Sequence, residues 1–144
     1  MQPLSLLGPV DALEPYAGFV VFGLVLVNML TRILASRNYE KQAKDDDRET
    51  LSRWIPHEVS NILLVLSAFY FLTLHHHGGI VLSTLVLGLI ITDFFEVEAR
   101  SVELRRGLPL EKPKAAVLAS VLVLMYIGYE TVFFIIKPIW DAVI

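Results

Sequence analysis

Charge is distributed along this chain in blocks, and the blocks set its organisation. From Tyr16 to Thr31 the sequence YAGFVVFGLVLVNMLT carries no Asp, Glu, Lys or Arg. None occurs in the 34 residues from Val59 to Thr92, and only Glu130 interrupts the stretch from Ala115 to Ile136. A helix rises about 1.5 Å per residue and the hydrocarbon layer is about 30 Å thick, so one crossing takes roughly 20 residues. The middle stretch is too long for one crossing. It is broken near its centre by His75-His76-His77-Gly78-Gly79, where paired glycines predict a tight turn between two helices. The pattern therefore predicts an all-α, integral membrane four-helix bundle in a single domain spanning 1–144. Its helices are expected near 16–35, 58–75, 80–97 (extending to about 106) and 114–137.

The polar connections add detail. Asp45-Asp46-Asp47 is expected to cap a short helix leading to Leu51, Trp54 and Ile55, with Trp54 at the headgroup level and Trp140 matching it at the other face. Glu96 and Arg100 lie one helical turn apart, and Gly107 followed by Pro109 supplies a stop. Pro113 suits the first turn of the last helix. The first fifteen residues, MQPLSLLGPVDALEP, have no basic n-region and do not read as a signal peptide. Three prolines argue against a long helix there. The two halves share a hairpin topology without matching in sequence.

Orientation follows from the basic residues. Arg32, Arg37, Lys41, Lys44, Arg48 and Arg53 fall in or beside the first long connection, and Arg100, Arg105, Arg106, Lys112 and Lys114 in or beside the second. Of the 12 basic residues only Lys137 lies elsewhere. The positive-inside rule places both connections in the cytoplasm and both termini outside the cell membrane.

Composition agrees and narrows the chemistry. The chain is 144 residues long, 55% hydrophobic and only 19% charged, with a mean hydropathy of +0.60. With 12 basic against 15 acidic residues, nothing points to nucleic acid. The absence of cysteine excludes disulfides, thiolate zinc sites, iron–sulfur clusters and a catalytic thiol. No phosphate loop, dinucleotide fingerprint or serine elbow is present, and His57-Glu58 begins an H-E-x-x-H pattern without completing it. No catalytic residue and no cofactor is assigned.

Two layers of intramembrane polar residues remain. The inner layer gathers Asn28 and Arg32, then His57, Glu58 and Asn61, then Asp93 and Glu96. Charged groups at that depth pair, most simply Arg32 with Glu58 or Asp93. His57, Glu58, Asp93 and Glu96 could alternatively supply ligands for a metal, although the facing Glu-x-x-His of a di-metal bundle is missing. Structural pairing is the preferred reading. The outer layer holds His75, His76 and His77, read as a polar cap with metal binding as the alternative. It also holds Glu130, which a hydroxyl of Tyr70 or Tyr126 could satisfy in its neutral form, or which could serve as a proton or cation site. Helices in lipid pack through small residues, so the stripe Thr84, Gly88, Thr92 is expected to face a neighbouring helix.

Several strings together resemble a small family of uncharacterised integral membrane proteins found in halophilic archaea: LLGPVDAL, PYAGFVVFGLVLVNM, PHEVSNILLVL, FYFLTLHHHGGIVLS and ITDFFEVEAR. The resemblance implies a multi-pass protein of the archaeal cell membrane and carries no activity with it. The sequence pI of about 5.8 is less acidic than that of a salt-adapted cytosolic protein. Three classes of function follow. The first is a non-catalytic accessory, assembly or scaffold subunit, whose partners are the lipid bilayer and other membrane proteins or further copies of itself. The second is a small proton- or cation-coupled transporter, and the third a metal-binding redox or enzyme subunit.

The orientation is testable in whole cells, since any cysteine introduced into this chain is unique. A cysteine at position 78 is expected to react with an impermeant thiol reagent and one at position 106 to stay protected. The reverse pattern would invert the topology.

Overall fold

The computed structural model describes residues 16–45 and 50–143, with the side chain of Phe134 excepted. Four helices account for nearly all of it: α1 Ala17–Gln42, α2 Ile55–Leu74, α3 His76–Arg105 and α4 Lys114–Val143. Each is long and apolar enough to cross a membrane. Helices are the form such runs adopt, because a helix pairs its own backbone groups where lipid offers no partners. The helices form a ring in which α1 packs on α2, α2 on α3, α3 on α4 and α4 back on α1. The fold is thus an up-and-down four-helix bundle with two polar connections at one end and the α2–α3 turn at the other.

The side chains between the helices are apolar and fully covered: Val21 and Val25, Leu64 and Ala68, Leu82, Val86 and Leu89, Val123 and Ile127. Large apolar side chains also cover the outside, among them Leu30, Leu66, Phe95, Leu118 and Met125. A soluble bundle would carry polar groups there. A second small cluster, Ala35, Tyr39, Leu51 and Val97, closes the end bearing the connections.

The ends of the helices correct several expectations. α1 runs on to Gln42, beyond the apolar stretch, because its polar last turns pack against the connection. There the Gln42 amide clasps the backbone of Ser52, accepting from its N–H at 2.8 Å and donating to its carbonyl at 2.9 Å. The Leu51 N–H donates to Ser101 Oγ at 3.3 Å. Residues 51–54 are therefore tethered but not helical; Asp46 and Asp47 of the expected cap lie outside the described residues. α2 starts at Ile55 with Pro56 in its first turn and no side-chain cap. α3 ends at Arg105, and Gly107 two residues on has a φ of 71°, the left-handed conformation that favours glycine. The Leu108 N–H donates to Glu103 O at 2.9 Å and the Gly107 N–H to Leu104 O at 3.1 Å, a Schellman closure. α4 continues through Pro138 to Val143 rather than stopping near 137.

The α2–α3 turn differs most. Only His75 leaves the helical conformation, with φ −132° and ψ 91°, and Gly78 and Gly79 belong to the first turn of α3. Their role is close approach rather than helix breaking. A Cβ on Gly79 would collide with the Leu72 backbone.

The expected packing stripe is also corrected. Thr84 and Gly88 are exposed, a Cβ on Gly88 would meet open space, and the Thr84 and Thr92 hydroxyls bond back to Ile80 O and Gly88 O, each at 2.8 Å. The face of α3 turned inward carries Gly79, Leu82, Ser83, Val86, Leu89, Asp93 and Val97. Asp93 and the tight Gly79 contact set the helix rotation, and a four-residue stripe of small side chains has no comparable hold.

Gly79→Ala is accordingly expected to lower the melting temperature in detergent, with a loss of about 1–3 kcal/mol typical of overpacking. Gly88→Leu should change it little. Equal effects of the two substitutions would show that the turn does not depend on the missing side chain.

Candidate functional site: a buried charged cluster between three helices

Asp93 is seventeen residues into α3, about 26 Å from its first residue, and is 4% exposed. A carboxylate at that depth needs partners, and the neighbouring helices supply them. Arg32 of α1, 2% exposed, donates Nε–H to Asp93 Oδ1 at 3.2 Å. His57 of α2 places Nε2 3.3 Å from the same oxygen. Asn61, one turn further along α2, donates to Asp93 Oδ2 at 3.0 Å. Asn61 in turn accepts from Asn28 Nδ2 at 2.7 Å, and Asn28 also donates to Ser60 Oγ at 3.0 Å. On the other side of the imidazole, Thr31 Oγ1 lies 2.8 Å from His57 Nδ1 and can donate to Asn28 O at 2.9 Å.

Helical spacing explains this convergence. Asn28 and Arg32 are four apart, as are His57 and Asn61, so each pair shares one face of its helix. Arg32, His57 and Asn61 meet Asp93 directly, and Asn28 reaches it through Asn61. Sequence reasoning placed these residues in one layer but missed Thr31 and Ser60. Hydroxyl residues in an apolar helix are usually bonded to their own backbone, and only the fold shows that these two also reach across.

The remaining inner-layer residues go elsewhere. Glu58 turns to Arg53 at 3.6 Å, and Arg53 also reaches Glu98 at 3.3 Å and covers the Phe94 ring at 4.7 Å. Glu96 pairs with Arg100 at 2.7 Å, and Arg100 makes a two-point contact with Glu103 at 2.6 and 3.0 Å. Glu96 also accepts the Ala115 N–H at 3.0 Å, holding the start of α4. The grouping of His57, Glu58, Asp93 and Glu96 around one metal is therefore corrected. Only His57 and Asp93 touch, and the other two carboxylates are drawn away by Arg53 and Arg100. Among the described residues no three His, Asp or Glu side chains converge on a point that could hold a metal ion.

At the opposite end, His75, His76 and His77 are all exposed, with the His75 ring against Phe71 at a centroid distance of 4.7 Å. Tyr126 donates to Glu130 Oε1 at 2.9 Å. Gly78 leaves room for that pair, since a Cβ there would lie 3.2 Å from both Tyr126 Oη and Glu130 Oε1.

The charged cluster has one unfinished edge. Arg32 uses Nε on Asp93, yet no described residue accepts from its buried Nη1 or Nη2. Arg32 lines a cavity of about 20 Å³, walled further by Tyr39, His57, Glu96 and Arg100. That is room for about one water molecule.

Breaking the ion pair from one side should be costly. Arg32→Met is expected to lose about 3–5 kcal/mol, because it leaves Asp93 buried without its cation. Arg32→Met combined with Asp93→Leu should recover most of the lost melting temperature in detergent. Additive losses would show that the two side chains are not coupled.

Compared with known proteins, the chain matches one family model, a domain of unknown function designated DUF7313, over residues 2–144. No curated protein and no solved structure matches it. Because the match covers nearly its whole length, this four-helix chain belongs to the DUF7313 family.

Proposed function

We propose that this chain is a non-catalytic, multi-pass protein of the cell membrane, an accessory, assembly or scaffold subunit. In this reading both termini lie outside, and the membrane is that of the halophilic archaea suggested by its sequence strings. The observation that supports the reading is the closed apolar layer between the two polar ends. Leu64, Leu82, Val86, Leu89, Val123 and Ile127 are each 0% exposed and fill the space between the inner cluster and the Tyr126–Glu130 pair. A solute or ion moving through a single bundle would have to displace them.

The inner charged groups also neutralise one another, with Arg32 on Asp93, Arg53 on Glu58 and Arg100 on Glu96. What the bundle presents outward is apolar helix surface, including the open Thr84–Gly88–Thr92 stripe, for lipid or for the helices of other membrane proteins or a second copy. At the inner end it presents two charged connections.

Purification of the full chain from its native membrane in a mild detergent tests this. A membrane protein recovered in a fixed ratio with it, or stable self-association, is the expected result. Stoichiometric bound metal would favour the redox class instead. Proton or cation flux in liposomes containing the chain alone would overturn the reading in favour of transport.

A further inference from the structure

Most of the charge at the end of the bundle that bears the two connections is neutralised within the chain. Arg53 pairs with Glu58 and Glu98, Arg100 with Glu96 and Glu103, and Lys112 with Glu40. The last turns of α1 differ. Arg37 and Lys41 are exposed, and among the described residues no ion pair joins either of them to an acid. The described acids closest to them in sequence are Glu40, held by Lys112 at 2.9 Å, and Asp45, beyond the end of the helix.

Arg37 and Lys41 are four residues apart and share one face of α1. Steps of three and four residues back along that face lead to Ile33, Leu30 and Leu26, all exposed. One strip of the helix is thus apolar and then basic. From Leu26 to Arg37 it rises about 16 Å, the depth of one leaflet of a hydrocarbon layer about 30 Å thick. Each Cα–Cβ bond in a helix tilts toward the N-terminus, so the two long basic side chains lean back toward the apolar strip, as they do at a membrane interface. We infer that this strip is a binding site for an anionic phospholipid. Its acyl chains lie along Leu26, Leu30 and Ile33, and its phosphate headgroup meets Arg37 and Lys41. A guanidinium and an ammonium group together give a phosphate several charge-assisted hydrogen bonds. A zwitterionic headgroup, whose own ammonium they repel, fits them less well.

Other exposed cations at this end stand at a different depth. The contact of Arg32 with Asp93 gives α1 and α3 a common level. Arg37 is about 8 Å past that level and Lys41 about 14 Å, whereas Arg105 and Arg106 are about 18–20 Å past it. The headgroup layer adds only about 5–8 Å to each side of the hydrocarbon, so Arg37 and the back-leaning Lys41 meet it and the α3 pair stands beyond it. Lys44 follows on the α1 side at a similar distance to that pair. Lys114 opens α4, where the same tilt of Cβ carries the side chain away from the bilayer. The inference rests on the reading that these helices cross a bilayer, and it adds to the accessory role a lipid partner of stated chemistry.

Native mass spectrometry of the full chain in detergent counts the lipids it retains one at a time. Phosphatidylglycerol and phosphatidylcholine with identical acyl chains are the probes. The first phosphatidylglycerol is expected to bind at least about fivefold more tightly than the first phosphatidylcholine. Arg37→Gln combined with Lys41→Gln should abolish most of that preference. Arg105→Gln combined with Arg106→Gln removes the same charge from the same end and should keep it. All four side chains are exposed, so both double variants should melt with the unaltered chain. Equal binding of the two lipids, or an equal loss in the two double variants, would overturn the site. The underlying bilayer reading is checked separately, since a chain released from membranes by an alkaline wash would overturn that reading whatever the lipid preference.

Discussion

One contact sets the geometry of this bundle: the guanidinium of Arg32 against the carboxylate of Asp93, linking opposite helices of the ring through its interior. Both charges are costly on an apolar outer face, and both helices turn these positions inward. Once they do, the rest of each helical face follows at intervals of three and four residues. Val21, Val25 and Asn28 come inward with Arg32, and Leu82, Val86 and Leu89 with Asp93. The pair contributes less to stability than its contact suggests, because removing two charges from water is itself expensive. Its consequence is the rotation of α1 and α3, which apolar side chains alone specify poorly in lipid.

Around that pair the structure separates into zones with different physics. Near the polar connections, charges are numerous and paired locally: Arg100 with Glu96 and Glu103, and Lys112 with Glu40 at 2.9 Å. The last of these is solvent-exposed, of the kind that adds little stability. In the middle lies a fully buried layer of Leu, Val and Ile. At the far end, Gly78 and Gly79 let α2 and α3 run together with a single residue out of helical conformation, and leave space for Tyr126 and Glu130. Close backbone approach thus occurs at the turn, where glycine is essential, rather than along the middle of α3.

The polar cluster is tied to its helices on one side and lacks described partners on another. Asp93 accepts from Arg32 and Asn61 and meets His57, which ties its position to two other helices. Among the described residues, Arg32 nevertheless has no acceptor for Nη1 or Nη2, and Thr31 Oγ1 has one hydrogen for two acceptors. The contacts around Asp93 hold three helices in one register.

The sequence by itself determined the architecture. The length of its uncharged runs requires four helices, and the desolvation cost of polar groups places Arg32, His57, Asn61 and Asp93 inside the bundle rather than on its apolar outer face. Both conclusions depend only on local composition and on the cost of placing charge among apolar groups. The tertiary structure decided what depends on helix rotation and end-to-end register. It turned the Thr84–Gly88–Thr92 stripe outward, sent Glu58 and Glu96 to Arg53 and Arg100, and brought Gly79 against Leu72. It also joined Thr31 and Ser60 to the buried network. A run of apolar residues has nearly equal hydrophobicity all round, so its periodicity does not say which face meets a neighbour. That choice is made by a few specific contacts between residues far apart in the chain, and those exist only once the helices have met.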